Sequence, residues 1–397
     1  MDCCVTACCP RLVALGGGYG AVVLAGPRCR RRVALHSCVA AGRSSFAVGE
    51  ELSCLALRYG SGGREEEGVR DRSRRLHRLL AGEAAALQGI CDPKNSHLKE
   101  LHPTATENLQ LFKADLLDYE SVASAITGCE GVFHVASPVF LARTEVIEPA
   151  VTGTLNVLKA CSEAKVKRVV VVSSIAAVAV SPDAKDKILD EDAWSDAEYC
   201  RKIETWYCLS KTLAEREALN YGEKHGLNVV TVCPSYAIGP LLQPTLNASS
   251  MVLINMLNGL SSILFFCTIR TLEDITHGLI LCSPHRHVAG THNSMENILY
   301  YFVDVRDVAD ALYLVYKNPE ASGRYICGPC EVKLSDLIHM LRSLYPNYKY
   351  SEKFTEAKSF TVHSEKLEKL GWRYRTLKES LIDSIEFYRN AGFIDRA

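Results

Sequence analysis

The segment Trp206-Tyr207-Cys208-Leu209-Ser210-Lys211 places a phenol four residues ahead of an ammonium. On a helix these two groups share a face. A positive charge beside a phenol favours the phenolate, so the spacing predicts a Tyr207 pKa lowered from about 10 toward working pH. Roughly thirty residues earlier, Val169-Val170-Val171-Val172 runs into Ser173-Ser174. A serine hydroxyl at the end of a buried strand could hold a carbonyl oxygen against that phenol. Together these groups could protonate the oxyanion left by hydride attack on a carbonyl carbon. Tyr-x-x-x-Lys alone is common on surface helices; its place after a strand ending in two serines selects it.

The elements that must position these groups alternate regularly. Leu109 to Lys113 reads as a strand closed by Ala114-Asp115-Leu116, Tyr119 to Ile126 as a short helix, and Gly131 to Ala136 as a second strand. Ala150 to Ala164 carries a helical stripe of Val151, Leu155 and Leu158. Arg168 to Val172 is a β-branched run suited to a parallel strand buried on both faces. The helix bearing Tyr207 puts Ala214, Ala218 and Tyr221 on the Lys211 face and ends at His225-Gly226, a glycine cap. Asn228 to Cys233 is the next strand, stopped by Pro234. Alternation of this kind predicts an α/β fold with a doubly wound parallel sheet. Ligands of such sheets bind beyond the carboxyl ends of the strands, where Asp115, Ser137, Ser174 and Pro234 fall. Asp307 is expected to cap the helix Val308 to Tyr316. The amphipathic stretch Ser335 to Arg389 is expected to form a small C-terminal lobe over the substrate.

Two stretches differ in kind. Residues 1–91 hold thirteen Arg, no Lys and no Asn, their only Ile is Ile90, and they carry thirteen of the 26 Gly. Arg, Ala and Gly are what GC-rich codons encode, so an unusual first exon or a misassigned start is the expected origin. Gly16-Gly17-Gly18-Tyr19-Gly20 follows the apolar Leu12-Val13-Ala14-Leu15, as a strand entering a phosphate-cradling turn would, but Val23 breaks the Gly-x-Gly-x-x-Gly spacing. A loosely packed extension is the favoured expectation, and an Arg-rich targeting peptide is poorly formed, with Asp2 and two Cys pairs at its start. The second stretch, residues 260–294, holds His285, His287 and His292 without a carboxylate or thiolate at helical spacing, so a surface loop is expected and no metal site. The chain therefore divides into 1–91, a core over 92–259, the insertion 260–294, and 295–397 with the remainder of the core and the C-terminal lobe.

Composition excludes some classes. A net charge of −1 gives no electrostatic reason for a nucleic-acid or membrane partner, and no apolar run is long enough to span a bilayer. The seventeen cysteines are scattered; Cys327-Gly-Pro-Cys330 is a lone pair that cannot complete a tetrahedral metal site, so reduced, buried thiols in a cytoplasmic protein are expected.

Taken together, the motifs resemble the extended short-chain dehydrogenase/reductases of the plant cinnamoyl-CoA reductase and dihydroflavonol reductase type. Those carrying the resemblance are Asp92-Pro93-Lys94-Asn95, Lys113 to Asp118, Val132 to Pro138, Glu148 to Thr154, Ser173-Ser174, Trp206 to Lys211 and Gly239 to Pro244. They occur in the family's order over about two thirds of the chain, and the Trp-Tyr-Cys-x-x-Lys form is nearer to cinnamoyl-CoA reductases than to flavonoid reductases. The resemblance implies a Rossmann-type sheet and NADP(H). It assigns Ser174 to orienting the carbonyl, Tyr207 to proton donation, and Lys211 to lowering the Tyr207 pKa and binding the nicotinamide ribose. By the same resemblance Asp115 and Leu116 hold the adenine, Val135, Ala136 and Ser137 lie along the dinucleotide, and Lys94 helps hold a 2′-phosphate. Pro234, Ser235, Tyr236, Ala237 and Ser249 wall the nicotinamide. The implied substrate is a hydroxycinnamoyl-CoA or a related carbonyl compound of phenylpropanoid metabolism.

The family's opening strand, glycine turn and helix are not recognisable, and Ile90-Cys91 stand where an arginine for the 2′-phosphate is expected. Each lost backbone contact to a pyrophosphate is worth about 1–3 kcal/mol, and the sheet is expected to lack its central strand. Two alternatives follow: a catalytically impaired derivative unable to hold cofactor, and an NAD-dependent sugar-nucleotide epimerase or dehydratase, which shares the Ser, Tyr and Lys geometry.

Overall fold

A computed structural model describes residues 12–17, 20–25, 109–112, 114–139, 143–184, 187–243, 246–258, 294–357 and 360–395. Its strands are β1 (Leu12–Gly17), β2 (Gly20–Ala25), β3 (Leu109–Leu111), β4 (Gly131–His134), β5 (Arg168–Val172), β6 (Ile188–Leu189) and β7 (Val229–Pro234). They continue as β8 (Tyr236–Ile238), β9 (Ser294–Asn297), β10 (Leu299–Asp304), β11 (Gly323–Cys327), β12 (Cys330–Lys333), β13 (Lys353–Glu356) and β14 (Thr361–Val362). The helices are α1 (Tyr119–Ile126), α2 (Ile147–Glu163), α3 (Ala197–Lys202), α4 (Trp206–His225) and α5 (Ala248–Leu257). After these come α6 (Val305–Lys317), α7 (Leu334–Leu344), α8 (Lys366–Lys369) and α9 (Leu377–Asn390).

Seven strands form the main sheet in the order β11-β7-β5-β4-β2-β1-β3. The valines of β5 are its middle: Val169, Val170 and Val171 are buried, which β-branched side chains between two helical layers satisfy. β5 pairs in parallel with β4 and β7, and β11 pairs in parallel with β7. One core layer, under α1 and α2, includes Ile126, Leu158, Val169 and Ala218. The other, under α6, includes Val170, Val230, Leu312 and Val315. A third core joins α5, α7 and α9 to β10 through Leu253, Phe302, Leu337 and Ile385.

The central slots correct the expectation of a missing strand. β1 and β2 form an antiparallel hairpin, with Gly17 opposite Gly20. β1 pairs in parallel with β3, and β2 pairs antiparallel with β4. The apolar run from Leu12 is therefore a strand, but the chain after Gly17 turns back as β2 instead of opening a helix. Within the first 91 residues, expected to be a loosely packed extension, the described segments are these two strands. The sheet is consequently mixed: β2 alone runs against the direction of its other strands.

Local chemistry explains most boundaries. α1 begins where the Asp118 carboxylate accepts from the Glu120 and Ser121 amides. α2 starts at Ile147, three residues before the predicted start, because Pro149 in a first turn costs no hydrogen bond. α4 ends on Gly226 at φ +65°, the left-handed cap expected of a glycine. The N-cap of α6 is Asp304, whose carboxylate accepts from the Arg306 amide, and not Asp307 as the sequence suggested. Asp307 lies inside the first turn, where its carboxylate accepts from the Arg375 amide at 2.7 Å and pairs with the Arg375 guanidinium.

Gly131 on β4 sits against Tyr316 of α6: an added Cβ would come within 2.2 Å of that ring. Gly131→Ala should therefore cost about 1–3 kcal/mol of unfolding free energy, measured by denaturant titration. In a Tyr316→Ala background the same change should cost much less. An equal cost in both backgrounds would contradict this packing.

Candidate active site

Three elements meet at the carboxyl end of β5. Beyond β5 the backbone at Ser174 is extended, and its hydroxyl accepts from the Ala176 amide at 3.2 Å, capping the short turn Ile175–Ala177. Tyr207 lies in the first turn of α4, and its phenol is near enough to the Ser174 hydroxyl for that hydroxyl to favour its ionised form. One turn further on, the Lys211 ammonium donates to the Val172 carbonyl at 3.2 Å and lies 6.0 Å from the centre of the Tyr207 ring. The serine, phenol and ammonium singled out in the sequence thus converge.

Their electrostatics differ from the simple expectation. The Tyr207 pKa is raised, not lowered: desolvation dominates, and the neighbouring Ser174 hydroxyl opposes it only in part. The phenol is accordingly held as an acid. Lys211 is 6% exposed. Desolvation brings its pKa down to about 8, while Cys233 and Glu215 act in the opposite direction. Burial thus raises one partner and lowers the other, because in each case it disfavours the charged form.

Further buried groups surround the pair. Ser173, the neighbour of Ser174, donates to Glu215 Oε2 at 2.7 Å. His134, at the end of β4, is buried with Nε2 3.0 Å from Thr154 Oγ1, and that hydroxyl donates to the Ala150 carbonyl. Thr154 can then only accept, so His134 carries its proton on Nε2. Its Nδ1 is buried without a hydrogen-bond partner, as is the Ser235 hydroxyl beyond β7. These orphaned polar atoms, with the remaining donor capacity of the Lys211 ammonium, fit a hydroxyl- and amide-bearing ligand such as the nicotinamide half of a dinucleotide.

The other sequence-predicted positions fall as follows. Ala136 and Ser137 are buried after β4, and Val135 is half-buried beside them. Pro234 ends β7 and Tyr236 and Ala237 begin β8, all three half-buried, and Ser249 is the second residue of α5. At the far side, Asp115 turns its carboxylate onto the Leu117 amide at 2.8 Å. Leu116 is 5% exposed and belongs to the core, where Gly153 leaves room for it. Lys94 lies outside the described residues, as do the three histidines of the insertion. Among the described residues no cluster of metal-ligating side chains occurs, and Cys327 and Cys330 are free thiols.

A family model described as "NAD dependent epimerase/dehydratase family" matches residues 74–328. The chain belongs to this family. Among curated members it is 38% identical to cinnamoyl-CoA reductase 2 of Medicago truncatula over 309 residues, 76% of this chain and 82% of that protein. Cinnamoyl-CoA reductase 1 of Arabidopsis thaliana is 37% identical over 309 residues, with 76% and 80% coverage. Among solved structures, vestitone reductase from alfalfa (Medicago sativa) superposes with a TM-score of 0.61 at 30% identity, covering 77% of this chain and 89% of that one. Within the family the chain is thus of the cinnamoyl-CoA reductase-like, extended short-chain reductase type, as its motifs suggested.

Glu215, Arg324 and His134 join the site without a sequence signal of their own. Glu215 stands four residues after Lys211, a spacing visible in the sequence, but nothing there marks it as buried. His134 sits within a motif quoted for its flanking residues, and its isolation appears only in three dimensions.

Desolvation, and secondarily the Lys211 charge, pulls the His134 pKa down to about 3. An unfolded histidine titrates near 6.5. Between these values the unfolded chain binds the extra proton, so this contribution to stability is intact above about pH 6.5 and is lost as pH falls toward 3. Thermal melts of wild type and His134→Gln between about pH 7 and 5 should show the variant losing less stability on acidification, by up to ~1.4 kcal/mol per pH unit. Parallel losses would show that His134 does not carry the effect.

Proposed function

We propose that the protein is an NADP(H)-dependent reductase of small carbonyl compounds. Its preferred substrate class is a hydroxycinnamoyl-CoA thioester or a related aldehyde or ketone. The observation that carries this reading is the convergence of Ser174, Tyr207 and Lys211 at the carboxyl edge of the sheet. The curated relatives named above are reductases, which favours this reading over a sugar-nucleotide epimerase. We further assign the reaction to phenylpropanoid metabolism in the cytoplasm. No helix among the described residues is long and apolar enough to cross a membrane.

When bound, the cofactor supplies hydride to the carbonyl carbon. The residues of the chain manage the oxygen. Ser174 would hold the carbonyl oxygen beside the phenol, and Tyr207, kept protonated by desolvation, would give its proton to the developing oxyanion. Lys211 would stabilise the phenolate that remains and hold the ribose. Pro234, Ser235, Tyr236, Ala237 and Ser249 would wall the nicotinamide, with Val135, Ala136 and Ser137 along the dinucleotide and Asp115 and Leu116 at the adenine. Lys94 is the proposed contact to a 2′-phosphate. On a thioester, collapse of the hemithioacetal releases the thiol of CoA and leaves the aldehyde.

Titration of the purified chain with NADPH, followed by nicotinamide fluorescence, should show saturable binding. Absence of binding at millimolar cofactor would leave the impaired derivative as the better description. Tyr207→Phe should lower turnover by about 100-fold or more while leaving that binding nearly intact; retained turnover would remove Tyr207 as the proton donor. Because Lys211 titrates near 8, its charge is present below that pH and lost above it. Reductive kcat should accordingly fall as pH rises through about 8, and Lys211→Met should abolish this alkaline limb along with most activity.

A further inference from the structure

Behind the site lies a buried charge cluster that the proposed chemistry does not use. Glu215, 1% exposed, sits one turn after Lys211 on the sheet-facing side of α4. Its Oε1 accepts from the Thr231 hydroxyl at 2.7 Å and from Arg324 Nε at 2.8 Å. Its Oε2 accepts from the Ser173 hydroxyl at 2.7 Å and from Arg324 Nη2 at 3.2 Å. The Cys233 thiol lies 3.3 Å from Oε1. One carboxylate thus joins α4 to β5, β7 and β11. Arg324, 6% exposed, stacks 3.6 Å from the Trp194 ring centre and donates to the carbonyls of Glu191 and Ala193.

A buried ion pair contributes little to stability compared with well-packed apolar residues of the same size, so stability alone is a weak reason for this arrangement. Its geometry offers another. Ser173 is held toward Glu215 while Ser174, the next residue, is turned toward Tyr207. The helix carrying Glu215 also carries Tyr207 and Lys211. We propose that Glu215, clamped by Arg324, is a positioning residue that fixes Ser174, Tyr207 and Lys211 relative to one another and sets a carboxylate one helical turn from the Lys211 ammonium. The proposal rests on the reductase reading for its catalytic consequence. Its electrostatic part concerns the chain alone.

The groups facing Lys211 define the expected sign. They are His134 from β4, neutral with Nδ1 unprotonated; Tyr207 and Glu215 on its own helix; and Cys233 from β7, with Arg324 of β11 behind Glu215. Burial and the absence of a nearby anion both favour the neutral amine. Removing the Glu215 charge must therefore lower the Lys211 pKa.

The test compares Glu215→Gln with wild type by nitrogen NMR titration of the lysine ammonium in cofactor-free protein, and by pH profiles of kcat. The titration and the alkaline limb should both move to lower pH by roughly one unit or more. The kcat should fall about tenfold to a hundredfold while KM for NADPH changes little, as for loss of alignment. Glu215→Gln leaves Arg324 unpaired and could fail to fold. Glu215→Gln/Arg324→Met removes both charges, and Ser173→Ala removes one hydroxyl while keeping the ion pair. The double variant should restore stability without restoring kcat or the position of the limb, and Ser173→Ala should lower kcat with Trp194 fluorescence unchanged. Wild-type kcat and titration in whichever of these variants folds would overturn the proposal. Lack of any NADPH-dependent turnover in wild type would instead sink the reductase reading, while the lysine titration would still decide the electrostatic part.

Discussion

Helix α4 is constrained by the cost of taking charge out of water. Lys211 and Glu215 face the sheet on successive turns, and neither has appreciable contact with solvent. An isolated buried ion is tolerated only if it is paired, hydrogen-bonded or neutralised. Glu215 is paired and fully hydrogen-bonded through Arg324, Ser173 and Thr231. Lys211 has the Val172 carbonyl and a pKa brought down near 8. The backbone around them follows from these needs. β5 must end where its last carbonyl meets the ammonium, and β7 and β11 must bring Thr231 and Arg324 beneath the carboxylate. The surfaces that satisfy the buried charges are the ones that hold Ser174 and Tyr207.

A second constraint comes from strand direction. In a parallel sheet every carboxyl end falls on one edge, so loops from β4, β5, β7 and β11 gather there with no special device. β1 and β3 share that direction. β2 does not, and between β1 and β4 it replaces a strand-to-helix passage with a return strand. β2 pairs with the edges of both β4 and β1, which satisfies the ladder hydrogen bonds a central strand requires. Among the described residues the element that follows β1 is β2, so no helix dipole is aimed at the end of β1 from there.

Most of the fold was legible because its signals are local. The valine run of β5, the Asp118 cap of α1 and the Gly226 cap of α4 each declare themselves over a few residues. Tyr207, Lys211 and Ser174 were legible as a spacing joined to a strand end. What was not legible depends on distant partners. Asp304 and Asp307 are both acidic residues before an apolar helix, and the choice of cap between them is settled by Arg375, some seventy residues later in the chain, which engages Asp307. The direction of the Tyr207 pKa shift is hidden for a related reason: a lysine four residues away is visible in the sequence, whereas the depth of burial is not. Glu215 reads as an ordinary helix-surface residue until Arg324 arrives from β11, more than a hundred positions away. The hairpin escaped notice because its glycines suit a phosphate loop and a tight return equally well.

These two constraints act on different parts of the sheet, and this separates binding from chemistry. The groups that would move a proton are set by β5, β7, β11 and α4, whose mutual geometry is fixed by a buried carboxylate and its partners. The groups that would hold the far end of a dinucleotide lie after β3 and β4, beyond the hairpin. Among the described residues, a change in how β1 and β2 fill the centre of the sheet reaches the acid–base pair through β4, where the contact is His134, a neutral ring anchored on Thr154. The proton-donating geometry can therefore persist while the dinucleotide cradle varies. Cofactor affinity is then the property most exposed to the unusual amino-terminal sequence, and the alignment of Ser174, Tyr207 and Lys211 the least.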